Sequence, residues 1–229
     1  MPENHASLPS TTPDVAPGSP AMAWGQLREG NRRFVSGDVM HPSQGVDRRR
    51  ELAASQAPFA VVFGCSDSRV AAEIIFDRGL GDLFVVRTAG HVIDTTVLGS
   101  IEYGVEVLGA SLIVVLGHDS CGAVGAAVHT LMTGEQPAGF VRAVTDRVIP
   151  SIVGVTKGGA EAVAAMSPAT LLTEHVKHTV EMLHSYSGAL ASAVAEGRLA
   201  IVGVQYDLAE GVANLVEVDG DVAEQPISR

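Results

Sequence analysis

SLIVVLGHDSCGA, residues 111–123, opens as an apolar, largely β-branched run and ends in a histidine and a cysteine at H-x-x-C spacing. A short continuous apolar run bounded by glycine suits a strand buried on both faces of a parallel sheet. The next residues, AVGAAVHTLMTG (123–134), have helical character. His118 and Cys121 therefore fall on the turn leaving a strand, and open parallel sheets bind ligands outside that end of their strands. Three more runs share the pattern: FAVVFG (59–64), DLFVVR (82–87) and LAIVGV (199–204).

Helical segments lie between them. Residues 94–109 begin at Asp94, a cap candidate, and place Val97, Ile101, Val105 and Leu108 on one stripe. Residues 168–197 form a long helical stretch with an expected break at Ser187-Gly188. Near the start, Trp24 to Val35 has helical spacing, with Gly37 as its stop. Strands alternating with such helices predict an α/β fold with a central, mostly parallel sheet flanked by helices. Residues 1–20, rich in Pro, Ser and Thr, read as a flexible arm. Residues 21–229 read as a single catalytic domain, in which the Gly- and Ala-rich segment 134–167 is the least defined.

A hydrophobic fraction of 46% over 229 residues supports a sizeable core. The formal charge of −11 argues against nucleic acid as a partner, because phosphate binding needs clustered Lys and Arg. No apolar run approaches the ~20 residues of a membrane span. Two cysteines make no disulfide framework, and no leader pattern opens the chain, so a cytoplasmic protein is expected.

The second cysteine is Cys65, in FGCSDSRV. It also ends an apolar strand, so it can meet His118 and Cys121 in space although 53 positions (118 − 65) separate it from His118. Two thiolates and an imidazole match a zinc site that keeps a fourth position open. A helix starting near Gly122 adds positive potential that favours thiolates. Each residue alone has a plainer explanation, since a strand-end Cys is usually a small buried hydrophobe. Asp67 and Arg69 strengthen the metal reading: a carboxylate near zinc can ligate it or accept a hydrogen bond from its water, and Arg69 can hold that carboxylate bidentately.

Other chemistries fit less well. Cys65-x3-Arg69 is too short for the Cys-x5-Arg cradle of a cysteine phosphatase, and neither C-x-x-C nor a P-loop is present. EHVKH (174–178) lacks the H-E-x-x-H frame, so His175 and His178 are expected on a solvated helix face.

CSDSRV (65–70), RTAG (87–90) and GHDSCGA (117–123), in this order, resemble the β-class carbonic anhydrases. AAEIIFDRGLGDLFVVRTAGHVID (71–94) and SIEYGVEVL (100–108) also resemble that family, especially bacterial members close to the plant-type group. The resemblance runs from about Trp24 to Leu208. It implies one Zn2+ per chain, held by Cys65, His118 and Cys121, and reversible hydration of CO2 to bicarbonate and a proton by zinc-bound hydroxide. It implies that Asp67 either takes the fourth zinc position or is drawn away by Arg69. Gln56, Phe84 and Tyr103 match positions lining the CO2 cleft, and Gly122 would offer its backbone N–H to the substrate. The resemblance also implies a homo-oligomer, dimer or tetramer, with clefts at the dimer interface and the N-terminal helix packing on a partner. His91 and Tyr103 are candidates for the proton shuttle. Two neighbouring readings are a non-catalytic bicarbonate- or zinc-binding module and a hydrolase of COS or CS2 on the same fold.

Overall fold

The computed structural model describes residues 18–156 and 159–226. Residues 1–17, most of the expected flexible arm, lie outside the described residues, and Pro20 already belongs to the first helix. That helix, α1 (Pro20–Ser36), starts with Pro20 in its first turn and the Ser19 side chain accepting from the Met22 N–H. It ends at Gly37 in the left-handed conformation, the expected stop.

Among the described residues, five strands form one sheet: β1 (Ala60–Cys65), β2 (Leu83–Thr88), β3 (Leu112–His118), β4 (Ala200–Tyr206) and β5 (Ala213–Asp219). Their order is β2-β1-β3-β4-β5, with β5 alone antiparallel. The four apolar runs read from the sequence are the four parallel strands, each within two residues of its expected ends. The apolar-run criterion misses β5, which mixes Asn214, Glu217 and Asp219 with Leu215 and Val216 because it is a half-exposed edge. β1, β3 and β4 are buried along their whole length, whereas β2, the other edge, is only half-buried.

Helices cover both faces. α1 and the short α3 (Ala72–Ile75) pack on one, where Trp24, Leu27, Ile75 and Phe76 meet Val62, Leu112 and Val114. α2 (Val46–Glu51) lies in the connection to β1 with no buried residue. The apolar stripe of α1 is thus covered by this chain's own sheet, and Asn31 ties it down by donating to the carbonyls of Ile75 and Gly211. On the other face lie α4 (Thr95–Glu102), continued by a wider π-type turn over Tyr103–Val107, α5 (Gly122–Thr133) and α6 (Val141–Val155). They are joined by α7 (Ala160–Ala165), α8 (Pro168–Tyr186) and α9 (Gly188–Ala195). Asp94 caps α4 as expected, and α8 breaks from α9 at Ser187. The poorly defined segment 134–167 holds α6 and α7. α8 lies close on the sheet because Gly117 leaves room: a Cβ there would stand 2.4 Å from Val176. That close contact fixes the end of β3, and therefore His118.

Candidate metal centre

β1 and β3 are hydrogen-bonded neighbours, so their carboxyl ends bring Cys65 beside His118, and the turn after β3 returns Cys121 to the same point. One ligand atom from each of the three lies within 4.8 Å of the others. His118 is fully buried, and both cysteines are under a tenth exposed. The turn needs Ser120 at φ 54°, and His91 on the neighbouring loop sits at φ 40°. Left-handed backbone at non-glycine residues costs on the order of 1–3 kcal/mol each and collects at functional sites.

Hydrogen bonds fix what each ligand can donate. His118 Nδ1 donates to the Asp119 carbonyl at 2.8 Å, leaving Nε2 as the lone-pair atom. Among the described residues that buried Nε2 has no hydrogen-bond partner. A buried nitrogen without a hydrogen-bond partner, within 4.8 Å of two thiols, has the chemistry of a metal ligand. Gly90 donates its N–H to Cys65 Sγ at 3.3 Å. The Cys65 thiol is pushed down, first by its hydrogen bond with Cys121 and further by His118 and the Gly90 N–H, against burial. Cys121 is pushed up by the same shared hydrogen bond and by burial, while the Val124 and Ala123 N–H groups at the start of α5 pull the other way. A divalent cation would release the proton the sulfurs share. Two soft thiolates and one imidazole fit zinc, so these three residues would hold it.

Asp67 and Arg69 stand as the spacing predicts. Arg69 donates from Nε to Asp67 Oδ1 at 3.0 Å and from Nη2 to Oδ2 at 2.8 Å, and its backbone N–H also reaches Oδ1. Asp67 Oδ2 lies 3.9 Å from His118 Nε2, facing the same space as the ligand atoms. The Arg69 side chain holds the Asp67 carboxyl well below the usual carboxylate range. Sequence reasoning passed over Arg87, which donates to the carbonyls of Cys65 and Asp67 and fixes the CSD turn from β2. Its signal was the RTAG motif itself.

Of the other site candidates, Phe84, Tyr103 and Gln56 do not join this corner within one chain, whereas Gly122 does. Phe84 pairs with Val61, four residues before Cys65, hence about 13 Å away along the strand. It packs against Tyr103, ring centroids 6.1 Å apart. Gln56 lies in the connection before β1, beside Arg49, Leu52 and Leu80. Gly122 begins α5 next to Cys121. A cavity of about 400 Å³ opens onto His118 and Cys121 from the α5, α7 and α8 side, walled by Val124, Val128, Val163, Leu171 and Leu172. The expected solvated face of EHVKH is corrected for His175, which is buried because the residues one helical turn away, Leu171, Leu172 and Thr179, share its sheet-facing stripe. His91 is fully buried, with neither ring nitrogen reaching solvent, so it has no direct route to bulk water.

Residues 60–213 match the sequence profile of the carbonic anhydrase family. The chain is 55% identical over 206 residues to a carbonic anhydrase of Mycolicibacterium smegmatis, covering 90% of this chain and 98% of that protein. It is equally identical over 207 residues to carbonic anhydrase 2 of Mycobacterium tuberculosis, with the same coverage. Among solved structures, the Coccomyxa β-carbonic anhydrase in complex with acetazolamide superposes with a TM-score of 0.65 at 24% identity, over 84% of this chain and 86% of that one. One of two tetrameric β-carbonic anhydrases from Sordaria macrospora gives 0.65 at 24% identity, over 73% and 84%. The chain belongs to the carbonic anhydrase family, in its β class. It is a zinc-dependent enzyme of reversible CO2 hydration.

Proposed function

We propose that Cys65, His118 and Cys121 hold the zinc, that Asp67 accepts a hydrogen bond from the attacking water, and that Arg69 positions Asp67 for that task. The observation carrying this reading is the Asp67 carboxylate, doubly bound by Arg69 yet 3.9 Å from the free Nε2 of His118. Bound zinc supplies Lewis acidity that lowers the pKa of water from about 16 to about 7. Asp67, ionised throughout the working range, orients that water by accepting from it, which turns a lone pair toward the carbon of CO2. A carboxylate held so far below its usual range stores a proton poorly. The proton released by hydration therefore leaves by another route, for which exposed Tyr103 remains a candidate and buried His91 does not.

Gln56, Phe84, Tyr103 and Gly122 form the proposed substrate-binding set. Gly122 sits at the metal corner of its own chain. Phe84, Tyr103 and Gln56 lie on or near the half-buried β2 edge and reach a metal corner only across a subunit interface. This supports a homo-oligomer, a dimer or a dimer of dimers, whose interface includes that edge, with α1 extending its outer face to the partner. Among the described residues no helix is long and apolar enough to cross a membrane. We place the enzyme in the cytoplasm, where its two thiols stay reduced.

Stopped-flow hydration of CO2 across about pH 6.5 to 9 tests the reading, on protein of known zinc content. Turnover that rises with pH and disappears on zinc removal supports it. Bound zinc without turnover at any pH would move the site to a binding role or to another small substrate such as COS.

A further inference from the structure

The RTAG motif ends at Gly90, and EHVKH contains His175; the mechanism uses neither, yet the structure joins them. Gly90 has φ 64°, and a Cβ on it would stand 2.5 Å from the Ala123 side chain on α5. Glycine is therefore required there, and glycine leaves the two peptide planes that meet at its Cα free to rotate. Hydrogen bonds from other groups have to hold them. His175 Nε2 lies 2.8 Å from the Gly90 carbonyl oxygen, and the Gly90 N–H donates to Cys65 Sγ. The His175 ring, 2% exposed, is itself fixed from two sides. The His91 ring packs on it at a centroid distance of 4.3 Å, and Ser151 Oγ lies 3.0 Å from its Nδ1. Since a carbonyl only accepts, Nε2 carries the proton and Nδ1 takes the Ser151 hydroxyl hydrogen, for which the Val148 carbonyl at 2.6 Å competes. Burial pushes the His175 imidazole down to about 4, so this neutral tautomer persists at working pH.

We propose that His175 is a positioning residue for the metal centre: anchored by Ser151 on α6, it holds the carbonyl of the Gly90–His91 peptide, and so limits rotation about the Gly90 Cα that would carry the preceding peptide's N–H off the Cys65 thiolate. The proposal rests on Cys65 being a zinc ligand. It assigns the device to the sulfur of β1, which has no helix N-terminus of its own, whereas Cys121 has the first amides of α5. Groups that orient ligands in this way typically contribute about 10- to 100-fold to metal affinity.

Zinc affinity is measured by chelator competition on wild type, Cys65→Ser, His175→Leu and His175→Gln, with the sulfur-to-cobalt charge-transfer band of the Co2+-substituted proteins as a second readout. His175→Leu keeps the apolar contacts and deletes the donor; His175→Gln keeps an N–H near the Nε2 position. The expected result is zinc weakened about 10- to 100-fold with a shifted charge-transfer band in His175→Leu, and recovery toward wild type in His175→Gln. Wild-type affinity in His175→Leu overturns the proposal, and so does equal weakening in both variants, which would mean that shape alone matters. If His175→Leu does not fold, Ser151→Ala decides: an unshifted band and unchanged affinity overturn the proposal, and a shifted band with weaker binding supports it. Cys65→Ser binding zinc as tightly as wild type would instead overturn the ligand assignment, an outcome distinct from every His175 result.

Discussion

At the carboxyl ends of β1 and β3 the ligand atoms are buried, His118 has its tautomer set by the Asp119 carbonyl, and Asp67 is engaged on both oxygens by Arg69. Along β2 the strand is half-buried, and beside it Tyr103 and Val107 are 47% and 63% exposed. The first region is complete within one chain; the second leaves apolar side chains in water. Metal binding should accordingly be a property of the single chain, and turnover a property of the assembly.

The largest effect should come from the complete region. Cys121→Ser is expected to abolish stoichiometric zinc binding and reduce CO2 hydration to background, read by metal analysis and stopped flow. Retained zinc with full turnover would show that the corner is not the metal site. Next, Arg69→Ala should keep zinc but lower kcat/KM by about 10²- to 10⁴-fold, the range for losing a positioned proton-handling group. The Asp67 carboxylate is then free to turn toward the metal. Full activity in that variant would end the positioning role of Arg69.

A smaller effect probes the unfinished region. Phe84→Ala should impair turnover while leaving zinc content intact. Mixed and reassembled with inactive Cys121→Ser subunits, it should regain activity, because an intact metal corner then meets an intact Phe84 from its partner. No recovery in the mixture would put Phe84 in the service of its own chain's site.

The smallest effect concerns stability. Burial lowers the folded pKa of His175 to about 4 from the ordinary 6.5 of a histidine, so between those values the unfolded chain binds the extra proton. Stability is therefore present above about pH 6.5 and lost as pH falls toward 4, by roughly 3 kcal/mol at most. Denaturant titrations of metal-free protein over that window should show the loss, and His175→Gln should flatten it. An unchanged slope in that variant would assign the acid sensitivity to other groups.

Most of the site was legible because its chemistry is local. Cys65, Asp67 and Arg69 lie on one turn, and His118 and Cys121 on another, so spacing alone aims each group. The strand runs were legible because a strand buried on both faces must be continuously apolar. β5 escaped because an edge strand mixes polar with apolar residues, and His175 was misread because helical spacing shows which residues share a stripe but not what covers it.

The sequence by itself determined the α/β alternation, the two ligand-bearing turns and the family. Only the tertiary structure decided that β1 and β3 are neighbours, that Gly90 and His175 stand behind Cys65, and that Phe84 lies far from its own chain's metal corner. The physical reason is one of range. Turn chemistry and side-chain period act over a few residues, whereas strand order and helix-on-sheet packing bring together groups that no local pattern links.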